Sequence, residues 1–183
     1  AESLERFDIT DNLVNNRNEE LDFLGELTNL RQLDIGSCNF DFDGVPPVIG
    51  KLTKLESLDI SYTLMFGPIR GEAFANLTNL TYIEMGGNSY NDSIPSELAS
   101  LPLLANLYCE DAFLSGDVSF MTQMPAIFEM WVDDNPDLGG SIPTEIGTLS
   151  TLQSLSLSSC AITGVLPTEL GDMEFMQQMW YAY

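Results

Sequence analysis

The chain has 183 residues, 44% of them hydrophobic, enough for a continuous core and too many for a disordered segment. Its charge is one-sided: 28 Asp plus Glu stand against 6 Lys plus Arg, with no His, for a net charge of −22. That balance excludes functions that run on phosphate neutralisation, nucleic-acid binding above all, disfavours anionic membranes, and favours cationic partners or a strongly solvated surface.

No apolar run approaches the roughly 20 residues that cross a bilayer. No charged-then-apolar leader opens the chain, so any secretion signal or membrane attachment is expected in a flanking segment. Along the chain one pattern, L-x-x-L-x-L-x-x-N, returns. It starts at Leu4 (LERFDITDN), Leu30 (LRQLDIGSC), Leu55 (LESLDISYT) and Leu80 (LTYIEMGGN). It continues from Leu104 (LANLYCEDA), Ile127 (IFEMWVDDN) and Leu152 (LQSLSLSSC), and an eighth copy begins at Met176 (MQQMWYAY). The steps are 26, 25, 25, 24, 23, 25 and 24 residues, a periodicity that marks a repeat architecture. In each copy the last two apolar positions flank one polar residue, which predicts a short strand. One such strand cannot bury its face alone. Stacked copies give a parallel sheet, at about 4.7–4.9 Å per strand, over a shared core.

The residues that end the pattern are Asn12, Cys38, Thr63, Asn88, Ala112, Asn135 and Cys160. A buried Asn there is expected to bond backbone groups of the turn on its own copy and the next, with Cys and Thr as weaker substitutes. Ala112 should leave the fifth turn least restrained. The second halves are also patterned: GVPPVIGKLTKL (44–55), DSIPSELASLPLL (92–104), GSIPTEIGTLSTL (140–152) and GVLPTELGDMEFM (164–176).

Together the two halves resemble the leucine-rich repeat family, in its plant-type G-x-I-P form, over essentially the whole chain. The resemblance implies an α/β solenoid: a right-handed superhelix of about eight repeats, with a parallel β-sheet on the concave face and a 3₁₀ or irregular convex side. In this subtype the I-P segment adds a second short strand. Copies at 66–80 and 116–127 deviate, and 13–29 lacks the Pro, so their convex sides are expected to be less regular. Residues 1–183 read as one domain. Neither end shows a polar cap, so a section of a longer array is expected. The subtype is common in receptor-like kinase ectodomains and secreted recognition proteins, which implies an extracellular or cell-surface setting.

Cys38 and Cys160 share a column five copies apart, roughly 24 Å at strand spacing, far beyond the ~7 Å that a disulfide spans. Cys109 is two copies from Cys160. Three free, buried thiols are expected. With no His and no C-x-x-C, neither a metal site nor a cofactor is expected. Sequons at Asn76, Asn79 and Asn91 are candidate glycosylation sites, though composition would supply about as many by chance.

On the concave face the middle column runs Asp8, Asp34, Asp59, Glu84, Tyr108, Trp131, Ser156, Trp180. Carboxylates about 5 Å apart repel by ~0.8 kcal/mol in water and ~3 kcal/mol at an effective dielectric of 20. Solvent, a basic partner or a hard cation such as calcium could each accommodate them. The aromatics suit a binding surface for protein or sugar, or a shelf packed on strand neighbours. The candidate ligand-binding residues are Asp34, Asp59, Glu84, Tyr82, Tyr108, Glu110, Trp131, Asp133 and Trp180. DDNPDLGG (133–140) is not a calcium loop, since Leu138 and Thr144 stand where Gly and Glu are required. Catalysis finds no support: no His base, no phosphate cradle and no closed pocket. The expected function is ligand recognition on the concave face, the ligand a protein or peptide, with or without basic groups, or a glycan. The alternatives are a structural, adhesive or calcium-dependent surface role, or inhibition of a wall-degrading glycosidase. Ice binding would need a flat row of Thr or Asn, and the convex positions are too varied.

Overall fold

In each of the first seven copies the residue seven positions after the anchor carries a left-handed backbone: Asp11, Ser37, Tyr62, Gly87, Asp111, Asp134 and Ser159, with φ between 48° and 65°. This turn ends each strand at the same point and sends the chain outward. The structure, a computed structural model, describes residues 3–13 and 18–181. Among them eleven strands form: β1 (Arg6–Asp8), β2 (Gln32–Asp34), β3 (Ser57–Asp59), β4 (Tyr82–Glu84), β5 (Asn106–Tyr108), β6 (Ser115–Asp117), β7 (Glu129–Trp131), β8 (Asp137–Ser141), β9 (Ser154–Ser156), β10 (Ala161–Thr163) and β11 (Gln178–Trp180). Eight make one parallel sheet, β1-β2-β3-β4-β5-β7-β9-β11, one strand per copy and in chain order. Behind it Leu33, Leu58, Ile83, Leu107, Met130 and Leu155 form one inward row, at most 1% exposed. Burial of each such side chain is worth about 1.5–3 kcal/mol. Phe7 and Met179, in the first and last described copies, are only partly buried.

The far side of each coil is short helical turns. Five are 3₁₀ segments of three to six residues, the α-helical turn Ser96–Ala99 replaces one, and Asn18–Glu26 is the longest at nine residues. The expected irregularity of 13–29 falls partly on 14–17, outside the described residues. A second parallel sheet, β10-β8-β6, joins coils five to seven. In coils two to four, among the described residues, the isolated bridges Asp43↔Phe66 and Phe66↔Ser89 take its place. The copy at 116–127 is therefore more regular than its missing I-P suggested. Its Gly116 keeps the left-handed bend (φ 91°) found at Gly44, Gly67, Gly140 and Gly164, and that bend brings β6 alongside β8. At Gly44 a Cβ would lie 2.3 Å from the carbonyl oxygen of Pro68, so the close approach of coils also demands glycine there.

The Asn ladder runs opposite to expectation. Asn88 Oδ1 accepts from Thr63 N (3.1 Å) and Met65 N (3.0 Å), while its Nδ2 donates to Ile60 O (2.9 Å) and Met85 O (3.1 Å). It ties its own turn to the preceding coil, not the next. Asn135 does the same, accepting from Ala112 N (3.2 Å) and Leu114 N (2.7 Å) and donating to Cys109 O (2.9 Å). The fifth turn, with Ala112, is thus held from the sixth coil. Cys38 and Cys160 also reach back, their thiols donating to Ile9 O (3.1 Å) and Val132 O (3.2 Å). All three cysteines are free. Cys38 and Cys109 are buried, but Cys160 is only partly so.

Candidate functional site

The register aligns the inner-wall columns without a slip. Asp8 faces Asp34, Asp34 faces Asp59, and Asp59 faces Glu84. Glu84 then faces Tyr108, Tyr108 faces Trp131, and Ser156 stands between Trp131 and Trp180. Parallel pairing puts side chains of equal offset on one face, so the spacing of the repeat is what builds the stripe.

Each carboxylate accepts from donors two residues away or on the preceding coil. Asp8 accepts from Arg6 Nη2 (2.8 Å) and Thr10 N (3.2 Å). Asp34 accepts from the Thr10 hydroxyl and Gly36 N (3.3 Å). Asp59 accepts from Ser61 N (2.9 Å) and Ser61 Oγ (2.7 Å), and Glu84 from the Tyr82 hydroxyl (2.6 Å). Burial nevertheless pushes Asp59 above the usual carboxylate range, with the charges of Glu84 and Asp34 adding to it. Burial likewise raises Glu110, which also feels Asp133 and Glu84. Asp8, exposed, moves down because Arg6 bonds its charged form. The D-x-[S/T] spacing carried this signal, and sequence reasoning passed over Thr10 and Ser61.

The aromatics form one run. Ring centroids lie 5.5 Å apart for Tyr82–Tyr108, 5.2 Å for Tyr108–Trp131 and 6.2 Å for Trp131–Trp180. Tyr108 also donates to Glu129, and burial followed by that bond pushes its pKa up to about 12. Trp131 Nε1 donates to Ser154 Oγ (3.0 Å), which fixes its indole. Between the two tryptophans opens a shallow cleft of about 290 Å³, lined by Trp131, Asp133, Ser156, Ser158 and Trp180. Asp133 accepts from the Ser156 hydroxyl and from Ser158 N (2.9 Å). Ser156 and Ser158 are cleft residues that sequence reasoning left out; the register alone places them there.

All nine candidate residues therefore share the inner wall, but not one pocket. Asp34 and Trp180 stand six strands apart, roughly 29 Å at strand spacing; only Trp131, Asp133 and Trp180 meet in the cleft. Asn135, inside the discounted loop, is buried with its amide committed to backbone. Among the described residues no cluster of three or more acids or thiols is arranged to hold a metal ion, and no helix is long and apolar enough to cross a membrane. All three sequon residues, Asn76, Asn79 and Asn91, are exposed, and Asn79 also donates to Thr53 O (2.9 Å) across the coil boundary.

A family model described as Leucine Rich Repeat matches residues 151–173. Receptor-like protein 39 of Arabidopsis thaliana is 34% identical over 87% of this chain and 18% of its own length. The ectodomain of the Arabidopsis receptor kinase HAESA, solved with the peptide hormone IDA and the co-receptor SERK1, superposes with a TM-score of 0.84 at 24% identity, over 97% of this chain and 34% of that one. The ectodomain of GASSHO1/SCHENGEN3 from Arabidopsis thaliana, in complex with CASPARIAN STRIP INTEGRITY FACTOR 2, gives a TM-score of 0.67 at 26% identity, over 98% of this chain and 27% of that one. The chain spans 15% and 18% of the length of the first curated relatives it matches.

Proposed function

The chain belongs to the leucine-rich repeat family, and from that premise we propose that it is the ligand-recognition section of an extracellular, receptor-like array that binds a basic peptide or protein segment along its inner wall. The reading rests on one observation: a column of aligned carboxylates runs without interruption into a column of aromatics on a face that the core does not use. Asp34, Asp59, Glu84 and Glu110 supply negative potential, while Tyr82, Tyr108, Trp131 and Trp180 supply rigid apolar contact. In the middle column and the one before it, Arg6 is the only base, and it already pairs with Asp8 at 2.8 Å. The GASSHO1/SCHENGEN3 neighbour, whose solved complex holds a second factor, supports ligand recognition by such an array in general. The length of the relatives supports placing residues 1–183 as one domain within a longer array. No catalytic step is part of this proposal.

The test is calorimetric titration with a panel of short synthetic peptides carrying Lys and Arg among apolar residues. Asp59→Asn with Glu84→Gln should weaken the best peptide by about tenfold or more, and added salt should weaken it further. Unchanged affinity in the double variant sinks the placement. A glycan is the second reading, favoured by the exposed indole of Trp180, 43% accessible. Binding of a neutral oligosaccharide panel that ignores the acid variants would select it.

A further inference from the structure

We infer that the cleft between Trp131 and Trp180 is a socket for one guanidinium group, the arginine side chain of a basic ligand, with Asp133 as its counter-charge. The inference rests on the reading above and names what its aromatic end takes. β7 and β11 are two strands apart, with β9 between them, so their backbones stand about 9.6 Å from one another. The two indoles nonetheless approach to 6.2 Å with their planes at 84°. They lean over Ser156 and make a corner rather than a stack. A planar cation set against one indole face is walled by the other ring, within the ~6 Å at which a cation is attracted to an aromatic face. Trp131 cannot swing away without losing its bond to Ser154.

The charge at the corner is equally specific. Both hydrogen bonds to Asp133 fall on Oδ1; among the described residues none reaches Oδ2. Glu110, one coil back, adds a second carboxylate close enough to Asp133 to feel its charge. The ion pairs among the described residues are Arg6–Asp8, Arg31–Glu56 and Arg70–Asp43, all in the first four coils. Among the described residues no base pairs with Asp133, which leaves it for a ligand's cation. A guanidinium suits the corner better than an ammonium, because it is planar, stacks on indole and is weakly hydrated. At about 290 Å³ the cleft has room for one such side chain.

The test uses an internal reporter. The chain has 2 Trp, and both line this cleft, so tryptophan emission reads the socket directly. The 183-residue chain is titrated with N-acetyl-arginine amide and with its citrulline counterpart, which keeps the shape and removes the charge. Arginine amide should change the emission saturably, and citrulline amide should bind at least about tenfold more weakly. Asp133→Asn, which keeps an acceptor for Ser156 and Ser158, should weaken arginine amide by a similar factor. Glu145→Gln, an equal charge change on the convex side, should not. No saturable change with arginine amide, equal binding of citrulline amide, or full binding by Asp133→Asn overturns the socket. If the basic peptides still depend on Asp59 and Glu84 while arginine amide fails, the socket falls and the wider reading stands. If arginine amide binds as described while the peptides ignore Asp59 and Glu84, the wider reading falls instead.

Discussion

The first four coils and the next two carry their acids in different columns. In β1 to β4 the middle column is Asp8, Asp34, Asp59 and Glu84, and the column after it is Thr10, Gly36, Ser61 and Gly86. In β5 and β7 the middle column is Tyr108 and Trp131, and the acids move to the column after, as Glu110 and Asp133. The backbone is the same in both regions, down to the left-handed residue that follows. What differs is the partner of each acid. The first set takes hydroxyl and amide donors from its own coil or the one before, whereas Asp133 takes them from Ser156 and Ser158 of the next. One frame thus presents two chemistries, because neither column contributes to the core.

The strongest way to break the comparison is to attack the frame in each half. Asn88→Ala leaves Thr63 N and Met65 N without their acceptor and Met85 O without a donor; Asn135→Ala does the same to Ala112 N, Leu114 N and Cys109 O. At ~1 kcal/mol or more for each buried group left unpaired, both variants should lose about 3–5 kcal/mol in urea unfolding. A large loss in one and a small loss in the other would show that the scaffold differs as well as its surface. Trp131→Ala comes next. It removes a half-buried indole and uncovers Ser154, for about 1–2 kcal/mol, whereas Tyr62→Ala, 59% exposed outside the aromatic run, should cost far less. The smallest effect is electrostatic. Asp59 has a raised pKa in the folded state, so the folded chain binds more protons than the unfolded one between the ordinary carboxyl value and the raised one. Asp59 therefore destabilises above that window, and the penalty is lost as pH falls through it. Asp59→Asn should raise the melting temperature at neutral pH by the equivalent of less than about 1 kcal/mol, and the gain should vanish in acid. Asp8 is lowered, so Asp8→Asn should destabilise at neutral pH, with the difference also fading as pH falls through the folded pKa. Melting scans of both variants across pH check the opposite signs.

Much of this was legible before any coordinates. The anchor spacing fixes the strand register, so the columns from Asp8 to Trp180 could be written down from the letters, and the sheet follows them pair by pair. The direction of the Asn ladder was not legible, because a pattern position says nothing about which coil lies within reach of an amide. Nor was the partial exposure of Cys160, which shares its column with the buried Cys38. The lean of Trp131 toward Trp180 is a rotamer choice fixed by Ser154, and two strands of separation on paper gave no sign that the rings would meet.

The second sheet, β10-β8-β6, has a mechanical consequence. Prising apart any two of coils five to seven must break two ladders at once, whereas between coils two and four, among the described residues, one ladder and isolated bridges suffice. Strain from bending or tugging the array should therefore collect at its acidic end, and the corner made by the two indoles should keep its shape while the carboxylate rows flex toward whatever lies along them.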